Sequence, residues 1–173
     1  MKLTIGIVLN AVVLFVFGFL FWAANPLPAK TWNLAPDPGA AESALIEQFP
    51  ETGVYGVPGP GGTPTAVQAM LYVNHQPPED PMDPVTMVNG FIQYLVVGAV
   101  LVFVLQRGST LGGQVARAAL LGLAAVVVIE GSDLIWWLYP LAWKLWVAVY
   151  HVLVFVISAL VLSKFLPEAE SGS

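Results

Sequence analysis

Most polar positions along this chain are gathered into a few places, and between them run long stretches that are predominantly apolar. Four such stretches, 3–24, 85–106, 115–136 and 141–162, are each about 22 residues long. A helix rises about 1.5 Å per residue, so about 20 residues cross a hydrocarbon core ~30 Å thick. Each run can satisfy its own backbone N–H and C=O groups as an α-helix, which is the condition for crossing lipid. The pattern predicts an all-α membrane protein with four transmembrane helices. It divides into a first helix at 1–24, an extracytoplasmic insertion at 25–84, and a three-helix region with a short cytoplasmic tail at 85–173.

The insertion breaks the pattern because it holds most of the prolines. Asn25-Pro26-Leu27-Pro28 stops the first helix, since proline disfavours the helical conformation in the residue before it. Residues 40–49 carry Leu45, Ile46 and Phe49 at helical spacing, with Glu42 near the end where the helix dipole favours an anion, and predict a short amphipathic helix. Residues 53–57 and 69–73 predict two short strands around the turn-rich 58–64, a small hairpin near the membrane surface. Residues 75–84 hold too many prolines for regular structure, and Asp83-Pro84 supplies a cap and a first-turn proline for the second long helix. The insertion is thus expected to be α+β or irregular.

The third run is rich in small residues: Gly113, Ala116, Ala118, Ala119, Gly122, Ala124 and Ala125. The spacing Ala118-x-x-x-Gly122 lets helix backbones approach closely, which places this helix at the centre of the expected bundle. Trp136, Trp137, Tyr139, Trp143 and Trp146 crowd the turn between the third and fourth runs, as an interfacial aromatic belt does.

Composition narrows the class. The chain is 57% hydrophobic and 10% charged, too few charges to cover a water-facing surface, so lipid is its expected solvent. Its net charge of −5 reports sidedness, because Asp37, Glu42, Glu47, Glu51, Glu79, Asp80 and Asp83 all lie in the insertion. No basic patch exists to neutralise phosphates, which excludes a nucleic-acid partner. Without cysteine, a disulfide, a lipoprotein anchor and a thiolate metal site are excluded too. Lys2, Arg107, Arg117 and Lys164 flank the ends that share one side, against Lys30 and Lys144 on the other, so the positive-inside rule puts both termini and the 107–114 loop in the cytoplasm. The first run has a single Lys2 before it, a long apolar stretch and Trp22-Ala23-Ala24 at its end, which favours an uncleaved anchor over a signal peptide.

Four polar residues within the apolar runs are the candidate chemistry: Glu130, Asp133, Lys144 and His151. In an antiparallel hairpin Glu130 and Lys144 both sit roughly 6–9 Å below their helix ends, at similar depth. An unpaired charge at the bilayer centre costs about 2.5–3.5 kcal/mol, so an ion pair fixing the hairpin is the first expectation, with Asp133 placed to share the lysine and a proton or ion path as the functional alternative. His151 follows Lys144 by one heptad. A hydrogen bond to a neighbouring helix, through Asn10 or Gln93, is expected of it ahead of a proton relay; a haem would need a second axial ligand, and His75 belongs to the outer loop. Gly59-Pro60-Gly61-Gly62 lacks the Lys-Ser/Thr and the helix start of a phosphate loop. His75, Glu79, Asp80 and Asp83 are oxygen-rich but match no cation-ligand spacing, and a solvated acidic linker is expected there. Neither a catalytic constellation, a cofactor site nor a metal site is predicted, and the chain is not expected to be an enzyme.

Residues 48–59, Gln-Phe-Pro-Glu-Thr-Gly-Val-Tyr-Gly-Val-Pro-Gly, and the turn Trp136-Trp137-Leu138-Tyr139-Pro140 before an apolar helix resemble a group of small four-helix bacterial inner-membrane proteins of unknown function. Those proteins share a first membrane helix, an outer segment with a P-E-x-G-x-Y element, and an aromatic turn ending in proline before the last helix. Their Gly-Pro and Met-containing stretches after the first strand survive here only as Met70 and Met82. The resemblance implies topology and a bacterial inner membrane; it implies no mechanism. The expected function is a non-enzymatic accessory or scaffold subunit, in contact with the lipid bilayer and with a larger membrane partner or a homo-oligomer. The alternative is a small oligomeric transporter or proton-conducting protein using Glu130, Lys144 and His151. The orientation has a direct check: a reporter fused at Ser173 should read cytoplasmic and one in the 59–64 loop external, and the reverse pattern overturns the charge argument.

Overall fold

The computed structural model describes residues 1–59, 61–63, 67, 69–75, 83–105 and 110–166. Pro60, Glu79, Asp80, Met82 and Arg107, which figure in the expectations above, lie outside the described residues. In chain order the elements are α1 (Lys2–Trp22), a 3-10 turn (Pro28–Thr31), α2 (Pro38–Gln48), β1 (Gly53–Val57), β2 (Ala69–Val73), α3 (Pro84–Leu105), α4 (Leu111–Trp136) and α5 (Leu141–Leu162). Among the described residues α1, α3, α4 and α5 are long and apolar enough to cross a membrane. They fall on the four apolar runs. Pro84 opens α3 as its first residue, where a missing N–H costs nothing. α4 begins four residues ahead of the expected start, because Thr110 Oγ1 accepts from Gly113 N at 3.1 Å and caps it there; residues 111–114, expected as loop, are helical.

Two compact units result: Met1–Trp32 together with Pro84–Ser173, and Asn33–Asp83. In the first, α4 lies along α5 and α1 along α3, while α5 also touches α1 and α3. The central helix is therefore α5, not α4 as its small residues suggested. Of those small residues only Ala118 and Gly122 are buried: Ala118 sits in a cluster with residues of α3 and α5, and a Cβ added at Gly122 would sit 3.1 Å from Cδ2 of Phe155 on α5. Another side of α4 faces outward with Leu120, Leu123, Val127, Val128 and Ile129 exposed, while Gln114 and Glu130 are buried. An aliphatic core of Leu101, Val102, Leu105, Ala118, Ala159 and Leu162 fills one end of the bundle, with Leu3 and Ile7 packed on it.

Aromatic rings fill the other end. Trp143 lies 5.5 Å from Trp22 and 5.8 Å from Trp32, and Trp146 lies 5.5 Å from Phe21, so these two members of the expected belt are turned into the bundle. Trp136 and Trp137 stay exposed. The ring of Trp32, just after the 3-10 turn, is what draws residues 25–32 into this unit.

The second unit holds α2 and an antiparallel hairpin with Tyr55 opposite Leu71. Asp37 Oδ1 caps α2 by accepting from Ala40 N at 3.0 Å, with Pro38 at its first position. None of its residues is buried; the expected apolar face reduces to Leu45 and Ile46 beside a shallow pocket shared with Leu71, Tyr72 and Val73. Around the strand start, the Tyr55 hydroxyl donates to the Glu51 carbonyl at 2.7 Å, the Phe49 and Tyr55 rings stand 4.7 Å apart, His75 N donates to Thr52 Oγ1 at 3.0 Å, and His75 Nε2 meets the Phe49 carbonyl at 2.6 Å. His75 is thus tied to the backbone before β1, not part of a solvated linker.

The close approach of α4 and α5 carries a prediction. Gly122→Leu should cost about 1–3 kcal/mol by forcing the Phe155 ring and both backbones apart, whereas Leu121→Ala, on the exposed face, should cost less than about 1 kcal/mol. Thermal unfolding in detergent measures both, and equal losses would put Gly122 on an outer face.

Candidate functional site

On α4, Glu130 and Asp133 are three residues apart and share a face; on α5, Lys144 and His151 are seven apart, which returns to nearly the same azimuth after two turns. Packing α4 along α5 therefore sets two carboxylates against an ammonium and an imidazole. Lys144 Nζ donates to Glu130 Oε2 at 2.8 Å and also to Asp133 Oδ2. Glu130 Oε1 meets His151 Nδ1 at 3.1 Å. The glutamate thus uses one oxygen for each partner on α5. Asp133, Lys144, Glu130 and His151 form one chain of contacts that starts near the α4–α5 turn and ends at the middle of α5.

Burial grades along that chain. The Glu130 side chain is 4% exposed and that of Lys144 9%, against 25% for Asp133 and 36% for His151. The lysine has a third neighbour in the Tyr139 ring, whose centroid is 4.7 Å from Nζ. The turn holds that ring in place: Trp137 N and Tyr139 N both donate to the Asp133 carbonyl at 3.2 Å, and Leu138 between them takes a left-handed φ of 54°. A side chain there costs about 1–2 kcal/mol relative to the right-handed region.

The expected Glu130–Lys144–Asp133 grouping is present. The expected partners of His151 are not. Asn10 is fully buried with its amide beside Gly98, and Gln93 is exposed on α3; the heptad spacing from Lys144 instead turns His151 toward α4 and Glu130. That spacing was the signal for the contact. Ala118 and Gly122 serve packing, as described. Two features had no usable signal in the sequence: Tyr139 under the lysine, and a hydroxyl–hydroxyl hydrogen bond between Tyr94 of α3 and Tyr150 of α5, made beside Gly18 of α1.

Chemically, the cluster can hold two helices in register, and its hydrogen-bonded contacts can relay charge over two turns of α5. Among the described residues no group of His, Cys, Asp or Glu is placed to hold a metal ion. Comparison of the chain with family models, with curated proteins and with solved structures returns no match.

The lysine is the hub, and its removal should show it. Lys144→Leu leaves Glu130 buried without its cation and should cost about 3–5 kcal/mol. Asp133→Asn, at a partly exposed site that keeps a hydrogen-bond acceptor, should cost about 1 kcal/mol. Unfolding midpoints of the two variants measure the difference, and a larger loss at Asp133 would make it the principal partner.

Proposed function

We propose that this chain is a multi-pass protein of a bacterial inner membrane, with both termini cytoplasmic and residues 25–84 outside, and that it works without catalysis as an accessory or scaffold subunit binding another membrane protein. The four apolar helices support membrane insertion, and the distribution of Lys and Arg supports the orientation. The resemblance of residues 48–59 and 136–140 to small bacterial membrane proteins supports the compartment. The observation that carries the functional reading is that the ionisable groups Glu130, Asp133, Lys144 and His151 are spent on one another. A lysine engaged by two carboxylates has its donors directed into the hairpin, and such a cluster fixes α4 against α5 in a low-dielectric setting where the alternative is an unpaired charge. What such a subunit offers to a partner is then its helix faces.

A second reading, a small oligomeric transporter or proton-conducting protein, is favoured by His151. It carries the cluster to the middle of α5, and its side chain is 36% exposed.

Charge variants at Glu130 separate the two. For a hairpin clamp, Glu130→Gln should cost modest stability, Glu130→Lys should be severe through repulsion of Lys144, and Glu130→Lys with Lys144→Glu should recover much of the loss. Proteoliposomes of the unaltered chain should show no proton flux. Flux that Glu130→Gln abolishes while unfolding stays unchanged would replace the scaffold reading with the transport reading, and additive losses in the swap would show that the residues are not coupled.

A further inference from the structure

Asn89, Gln93, Val96, Val100 and Phe103 of α3 follow one another at spacings of four, three, four and three, the heptad seam of two helices wound around each other. All five are exposed: Val96 is 57%, Val100 56% and Phe103 76% accessible, and the two amide residues are exposed as well. The opposite side of α3 carries its buried residues Gly98, Leu101, Val102 and Leu105. The seam is the face that α3 turns away from its own bundle, and the two carboxamides on it make no side-chain hydrogen bond to a described residue. Gln93 lies nine residues into the helix, about 13 Å from its start. In a spanning α3 that is hydrocarbon depth, where no water replaces a missing partner.

We infer that this face of α3 docks a second copy of the chain, giving a parallel two-fold dimer with α3 against α3. The chemistry of the seam favours that occupant. A carboxamide is both donor and acceptor, so each amide is complementary to its own copy. Two copies inserted with one orientation are related by an axis along the membrane normal, which brings Gln93 to Gln93 and Asn89 to Asn89 at equal depth. The seam carries no charge, so nothing in it repels a copy or calls for an oppositely charged partner. Gln93 and Val100 share one heptad position, and a polar residue at such a position fixes the register of two paired helices. Helices in lipid cross at similar angles and use such amides as their hydrogen-bonding glue. The dimer rests on the membrane insertion proposed above and leaves the other helix faces to a different membrane partner.

The chain has no cysteine, so single cysteines report cleanly. Val96→Cys and Val100→Cys lie on the seam; Val88→Cys is exposed on another side of the same helix. Oxidation by copper phenanthroline in native membranes should give a disulfide-linked dimer from the two seam positions at about fivefold the yield from Val88→Cys. Adding Gln93→Leu to Val96→Cys should lower that yield roughly threefold. Equal yields at all three positions overturn the dimer. An adduct of Val96→Cys with a different protein overturns it too, while supporting the scaffold reading; no adduct from either seam position overturns the dimer and leaves the scaffold reading standing.

Discussion

A lysine that has left water must find its compensation nearby, and much of the α4–α5 hairpin is arranged around that requirement at Lys144. Nζ takes Glu130 and Asp133 from α4 and the Tyr139 ring from the turn, three groups brought together by one helix register and one tight turn. Moving α5 by a turn against α4 would strand both carboxylates and the ammonium, each at a cost of several kcal/mol. The ion pairs are therefore better regarded as a register device than as a source of net stability. Their placement at one end complements the aliphatic core at the other, where Ala118, Ala159 and Leu162 allow tighter packing without directional bonds. Between these ends Gly122 and Phe155 set how closely the two helices can run.

How much of this was legible in the sequence follows the range of each signal. The apolar runs are long and carry few polar residues, and all four helices lie on them. The two strands match to the residue, because Gly-Val-Tyr-Gly-Val and Ala-Met-Leu-Tyr-Val are rich in β-formers and flank the turn-rich 58–64. Glu130 and Lys144 were paired from depth alone, since opposite charges in adjoining apolar helices have few other places to go. What failed was partner choice. Small residues on α4 announce that something comes close but not how many helices do, and here only α5 does so extensively. His151 shows the same limit: its azimuth was legible from the heptad to Lys144, yet which helix lay in that direction depended on the packing order.

The outer unit illustrates a different economy. None of α2 is buried, so the P-E-x-G-x-Y element holds its shape through hydrogen bonds: a local one from Tyr55 to the Glu51 carbonyl, and two across the hairpin between His75 and Thr52 and the Phe49 carbonyl. Such bonds each contribute about 1 kcal/mol net, and a unit of some fifty residues has little apolar area with which to add more. The proline-rich surroundings assist by narrowing the conformations open to the unfolded chain.

The hub helix also follows the other three long helices in sequence order. Synthesis delivers α1, α3 and α4 before α5, so Glu130 and Asp133 emerge ahead of the lysine that neutralises them, and the Phe155 ring arrives after Gly122. On the proposed reading α4 enters the bilayer carrying two carboxylates with no cation, and about the time needed to make one more hairpin separates that state from the paired one. The order of the helices along the chain thus makes α5 a closing element: until it arrives, α4 lacks its principal neighbour, and the surfaces of α1 and α3 that meet α5 stay open.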